Sequence, residues 1–247
     1  MSKTPRQFGL WDSPVTPASL AEGKRLEAAR YAPDGTLVWL EGRSGRGVLV
    51  DQGPDGEAPR DLTADLDVRA EVGYGGGDFT VHGGHVYFVV HKTGRIFRQP
   101  LAGGAAKAIT PAFGQAASPV VSPDGRWLAY VHHDEGDDRL ALVDAEGRHW
   151  PRILAAGRDF YMQPRFSPDG RQVAFIAWDH PNMPWTARNS AWPNCTKLPD
   201  RFPNWVNSAY WPAGRTSPSF SRSSPPTAAA CCTSATRPVG DVSSLTI

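Results

Sequence analysis

One phrase recurs along the chain and limits what it can fold into. It reads Tyr31-Ala-Pro-Asp-Gly35, Val121-Ser-Pro-Asp-Gly125 and Phe166-Ser-Pro-Asp-Gly170. The last two copies lie 45 residues apart and the first two lie 90 apart, twice that period. A degenerate copy fits the gap, Phe79-Thr-Val-His-Gly-Gly84, with Gly-Gly in place of Asp-Gly. Proline presets φ, aspartate bonds its own backbone and glycine accepts a positive φ, so each copy predicts a tight turn.

An apolar run rich in β-branched and aromatic residues follows each turn: Leu37–Leu40, Val86–Val90, Trp127–Val131 and Val173–Trp178. These runs are too short for helices and read as strands. Second strands follow at Gly47–Val50, Arg95–Arg98 and Arg139–Val143, and a return strand at Trp150–Leu154. Only Ala18–Arg30 has the composition for a short helix. A four-stranded unit repeating every 40–45 residues predicts a β-propeller blade. The expected fold is all-β, a partial propeller of about three blades and part of a fourth. The fourth unit lacks a counterpart to Arg139–Val143.

Composition divides the chain at residue 185. Residues 1–185 hold 23 of the 25 Gly, all seven His and 23 of the 25 acidic residues. Residues 186–247 hold all three Cys, ten Ser, eight Pro and two acids. We therefore expect an incomplete propeller over 1–185 and an unstructured tail over 186–247. The near-zero net charge argues against a nucleic-acid partner held by a basic surface. No run approaches the roughly 20 apolar residues of a membrane helix, so no membrane partner is expected. The start, Met1-Ser-Lys-Thr-Pro-Arg-Gln-Phe8, offers no apolar leader, and a cytoplasmic address is the expectation.

Three stretches carry a family resemblance. They are Phe8–Pro14 with Val38–Arg43, Tyr74-Gly-Gly-Gly77 with Phe79–His82, and Phe175-Ile-Ala-Trp-Asp-His-Pro-Asn-Met-Pro-Trp185. They resemble the amino-terminal propeller of the prolyl oligopeptidase family of serine peptidases, in its bacterial acylaminoacyl-peptidase or dipeptidyl-peptidase-like branch. The resemblance covers residues 7–185. It implies a parent in which the propeller gates peptide substrates and supports an α/β-hydrolase domain carrying Ser, Asp and His. No serine here stands in G-x-S-x-G, so no catalytic residue is carried over. The alternative is a stand-alone, TolB-like binding propeller.

The family pattern after Asn182-Met-Pro-Trp185 continues with Asp-Gly-Thr-Glu-Leu. Restoring one base after Trp185 allows residues 186–195 to read D-G-T-E-L-x-L-A-E-L under the genetic code. A similar reading of Ala209–Gly240 contains a further Ser-Pro-Asp-Gly turn. The tail is therefore read as out of frame. A Ser/Pro-rich linker is the competing reading, but it gives no reason for three Trp and three Cys.

Trp178, Asp179, His180, Asn182 and Trp185 form the candidate site: a stiff loop that either lines a cavity or domain contact, or merely joins two strands. His132-His-Asp-Glu135 reads as a solvated turn, because its ligand spacing is not rigid. His82-Gly-Gly-His85 occupies a blade-turn position. Cys195 with vicinal Cys231–Cys232 lacks paired zinc spacing. No metal or cofactor is expected.

Overall fold

The repeated turns fold as their residues dictate. In the computed structural model, which describes residues 7, 23–63, 65–72, 77–183 and 194–197, the Ser122 hydroxyl donates to Asp124 Oδ1 at 2.6 Å. The same carboxyl oxygen accepts the Arg126 N–H at 3.1 Å, and Ser122 Oγ accepts the Trp127 N–H at 2.9 Å. The later copy repeats the set: Ser167 Oγ to Asp169 at 2.5 Å, Arg171 N–H to Asp169 at 3.0 Å, Gln172 N–H to Ser167 Oγ at 2.9 Å. Gly125 takes φ 73° to close its turn, a conformation that costs other residues about 1–2 kcal/mol.

Each turn joins the first two strands of a blade. The first comprises β1 (Arg25–Tyr31), β2 (Leu37–Arg43), β3 (Arg46–Gln52) and β4 (Arg60–Asp61). The second comprises β5 (Phe79–His82), β6 (His85–Val90), β7 (Arg95–Pro100) and β8 (Lys107–Ala108). The third comprises β9 (Gln115–Val121), β10 (Trp127–Asp134), β11 (Asp137–Asp144) and β12 (Arg152–Ala155). The fourth holds β13 (Phe160–Phe166), β14 (Gln172–Trp178) and β15 (Asn194–Lys197). All four are antiparallel sheets paired in sequence order, and the first strands of successive blades touch, so the blades fan about a common axis. The helical content among the described residues is one 3₁₀ turn, His91–Thr93.

Two expectations need correction. Arg25–Tyr31, all but its last residue within the stretch with helical composition, is the innermost strand β1, paired with β2 from Arg25↔Gly42 to Tyr31↔Leu37. Tertiary pairing overrides the weak helical preference of this Ala- and Arg-rich run. Within the tail expected to be unstructured, Asn194–Lys197 adds a strand to β14, with Gln172↔Lys197 and Phe175↔Asn194 in register. An open strand edge presents backbone donors and acceptors that any non-proline sequence can pair with. The other tail residues lie outside the described ones.

The core consists of three seams between blades, and period-two alternation explains why the apolar runs are continuous. On β6, Val86, Phe88 and Val90 enter the seam with the first blade, while Tyr87 and Val89 enter the seam with the third. On β10, Leu128 and Tyr130 face the second blade, while Ala129 and Val131 face the fourth. Strands of the inner blades are thus buried on both sides. On β14 only Val173, Phe175 and Ala177 enter a seam, and Ala174 and Ile176 on the opposite side stay half-buried.

Turn carboxylates make the fold acid-sensitive. Thr36 holds Asp34 below its usual range, chiefly through its backbone N–H, and the Ser167 hydroxyl leads the same effect at Asp169. Burial opposes ionisation of Asp124 and Asp144. Hydrogen bonds from Ser122 and Arg126, and from the backbones of Arg148, His149 and Glu146, still hold both low. A carboxyl depressed in the folded state stabilises above its unfolded pKa of about 4, and that stability is lost as pH falls through the folded value. Asp78, raised mainly by burial, acts in the opposite direction. Burial likewise opposes ionisation of Glu41, yet hydrogen bonds from Trp39 and Arg43 hold it low. With five lowered carboxyls against one raised, the melting temperature should be level from neutral to mildly acidic pH and fall steeply below about pH 4. A midpoint that rises on acidification in thermal scans would contradict this assignment.

Candidate functional site

The candidate loop begins where β14 ends, at the end of the fourth blade opposite its Ser167–Gly170 turn. Trp178 pairs with Phe160 across β13 and β14, and their rings stack at 5.0 Å with a 22° interplanar angle. This contact helps to bury Trp178 completely, its relative exposure being 0%. The next residue, Asp179, accepts a 2.5 Å hydrogen bond from Arg158 Nη1 and another at 3.0 Å from the Asp159 N–H. Asp159 returns the gesture, accepting the His180 N–H at 2.8 Å. The two aspartates therefore clamp the entry to β13 against the exit from β14.

The clamp leaves His180 outside. Its imidazole is exposed and meets Phe160 edge-on at 4.9 Å. The His180–Pro181 peptide is cis, and the Asn182 N–H donates to the Asp179 carbonyl at 3.0 Å, closing a turn that leaves Asn182 exposed. Of the five candidate residues, the structure brings Trp178, Asp179, His180 and Asn182 into one turn. Trp178 and Asp179 face inward to partners, and His180 and Asn182 are presented to solvent. Trp185 lies outside the described residues.

Beneath the clamp is Tyr161, in the seam with the third blade. Burial pushes its hydroxyl up to about 12, the backbone and charge of Arg158 work against that, and the charges of Asp179 and Asp138 add to it. Tyr161 is therefore protonated at neutral pH. Asp138, itself buried, binds His133 Nδ1 at 2.7 Å. The sequence reading missed Arg158, Asp159 and Phe160, although a charged pair followed by an aromatic ahead of an inner strand mirrors Trp178-Asp179-His180.

The other sequence candidates are occupied locally. His132, read as part of a solvated turn, is instead buried on β10 with its Nε2 3.2 Å from the Phe113 carbonyl, and His85 Nδ1 lies 2.9 Å from the Gly83 carbonyl. His82 and His85 flank a two-residue hairpin turn. Among the described residues no three His, Cys, Asp or Glu side chains converge as metal ligands would. The hydroxyls of Ser122 and Ser167 are committed to their turn aspartates.

No protein-family model matches the sequence, and no curated protein does. Solved structures do. A puromycin-hydrolyzing peptidase from Mycobacterium tuberculosis is 28% identical with a TM-score of 0.62, over 74% of this chain and 32% of the peptidase. A puromycin hydrolase is 30% identical with a TM-score of 0.62, over 75% of this chain and 32% of the hydrolase. TolB from Acinetobacter baumannii is 19% identical with a TM-score of 0.49, over 70% of this chain and 43% of that one. The chain thus spans about a third of the length of the two peptidases it resembles.

Proposed function

Because this chain carries blades of the amino-terminal propeller of the prolyl oligopeptidase family of serine peptidases, we infer that it is part of a peptidase whose α/β-hydrolase domain these blades support and whose substrates they gate. The observation that carries the inference is the agreement in identity and fold with two puromycin-hydrolysing enzymes across three quarters of this chain. The substrate class proposed for the parent is accordingly an aminoacyl amide or short peptide, with puromycin as the first probe. Acylaminoacyl peptides are the second class to try. The exposed His180 and Asn182, held on a clamped turn, are proposed to contact the hydrolase domain or the passing peptide.

The tail beyond Trp185 is proposed to be out of frame. The short β15 then occupies the edge of β14 that the family's own third strand would fill. The test compares the 247-residue chain with the product of the same gene after one base is restored following Trp185. Both are offered puromycin, acylaminoacyl and dipeptidyl chromogenic substrates, and a fluorophosphonate probe. The 247-residue chain is expected to show neither turnover nor labelling, because no nucleophile elbow is present in its sequence. The restored product is expected to show both. Stoichiometric labelling with turnover by the short chain would overturn the proposal, as would a restored frame that ends without a hydrolase domain.

A further inference from the structure

The blades are joined by connections of unequal length. Those leading into the third and fourth blades are short, Ile109–Gly114 and Ala156–Asp159, whereas the one leading into the second runs from Leu62 to Asp78. It starts conventionally. Leu62 and Thr63 continue the pairing of β4, with the Leu49 N–H donating to Thr63 Oγ1 at 2.9 Å. Asp67 Oδ1 accepts the Gly47 N–H at 2.8 Å, and the Val68 N–H donates to the Gly47 carbonyl at 2.9 Å. Val68 then bridges to Val90 of the second blade, and the Arg69 N–H donates to Val89.

From there the segment leaves the blades it connects. Ala70 packs against both the seam between blades two and three and the seam between blades three and four. Val72, 4% exposed, lies in the latter with Ala117, Val131, Tyr161 and Ala177. On the return, the Gly77 carbonyl accepts the Ser118 N–H of β9 at 2.8 Å. A Cβ on Gly77 would sit 3.1 Å from Ser118 Cα, so this approach is close. Asp78 Oδ1 accepts the Ala70 N–H at 2.7 Å, joining the two described parts of the connection.

We infer that the described residues 67–72 and 77–78 of this connection form a strap by which the first two blades hold shut the seam between the third and fourth, with Val72 as its key. Val72 is the one buried residue of this seam's apolar cluster that neither flanking blade supplies. On β14 the seam takes Val173, Phe175 and Ala177, and the opposite side, where Trp178 is buried but Ala174 and Ile176 are half-buried, carries no seam among the described residues. Removing the key therefore lowers the cost of opening this seam while leaving the seam between blades two and three with its own core. The inference does not depend on the peptidase reading.

Thiol labelling tests it on the full 247-residue chain with Cys195, Cys231 and Cys232 replaced by serine. Ala177→Cys reports on the strapped seam and Ala141→Cys on the neighbouring one, both native alanines being fully buried. Val72→Ala is expected to speed labelling at Ala177→Cys by roughly tenfold or more, with Ala141→Cys unchanged. Val72→Ile should retain slow labelling at both sites. Val72→Thr, which keeps the volume but buries a hydroxyl, should give the same selective rise and covers the case in which the alanine variant is too unstable. Equal acceleration at both sites would show that Val72 is general packing, and no acceleration at either would show that it does not hold the seam. Either result overturns the inference.

Discussion

A single methyl group added at Gly47 is expected to cost about 3 kcal/mol, at the upper end of ordinary overpacking. An ideal Cβ there would lie 2.0 Å from the Val68 carbonyl oxygen and 3.0 Å from its carbon, against backbone rather than a movable side chain. Relief requires the segment at Val68 to retreat from β3. That retreat breaks the hydrogen bonds joining Gly47 to Asp67 and Val68. Gly45, two residues earlier, provides the control. It has φ 80° and nothing within 4 Å of a Cβ, so Gly45→Ala pays only the conformational penalty of about 1–2 kcal/mol. Urea unfolding of both variants should place the Gly47→Ala midpoint well below that of Gly45→Ala. If the two coincide, the close approach of Val68 is not maintained in solution. Domains of this size are stable by only about 5–15 kcal/mol, so the larger loss removes a substantial share of the total.

The turns and the strands that follow them were legible because their cause is local. Pro-Asp-Gly specifies its own geometry, and a continuous apolar run after it has few ways to be buried. The innermost strands were harder to read. β1 has helical composition and becomes a strand only because β2 lies beside it. In β9 and β13 a proline sits mid-strand, which ordinarily argues against a strand. Here Ser118 and Gln163, each just before its proline, take φ 53° and 50° at register shifts, so the proline falls where the ladder is already interrupted. The repeat was present in the sequence, since Pro119 and Pro164 precede Pro123 and Pro168 by the same spacing. A second unread repeat is Leu62-Thr63 and Ile109-Thr110, whose hydroxyls accept the Leu49 and Ile96 N–H groups.

At the candidate site, sequence showed a stiff loop with polar residues but not its inside and outside. Trp178 is interior because β13 brings Phe160 opposite it, and Asp179 is structural because Arg158 and Asp159 arrive with the same strand. Both facts depend on register between segments about 20 positions apart, which local pattern does not encode. The strap was illegible for the same reason: nothing in Glu71-Val72 signals a destination two blades away.

The 247-residue chain is expected to self-associate at micromolar concentration, and, under the proposed out-of-frame reading of the tail, restoring one base after Trp185 is expected to abolish this. In a closed ring every blade is covered on both sides, and the sheet edges are short and protected. Among the described residues four blades share three seams. Stability in repeat architectures is roughly a sum of intrinsic and neighbour terms, so a missing neighbour removes a favourable interface without reducing the entropy cost of ordering the blade. At one end Ala174 and Ile176 remain half-buried, beside a β15 only four residues long. At the other, Leu26 and Tyr31 of β1 are 70% and 75% exposed. Apolar side chains beside incompletely paired edges recruit further copies of the same chain. In the out-of-frame reading, the tail's Trp and Cys residues have no selected partners and add to that tendency. Sedimentation under reducing conditions should therefore show polymers for the 247-residue chain and for residues 1–185 alone, and a discrete species for the restored product. Thermal scans should place both short versions well below it. A monodisperse 247-residue monomer with a sharp, cooperative melt would mean that these blades are complete without further ones. The stand-alone binding propeller would then be the correct reading.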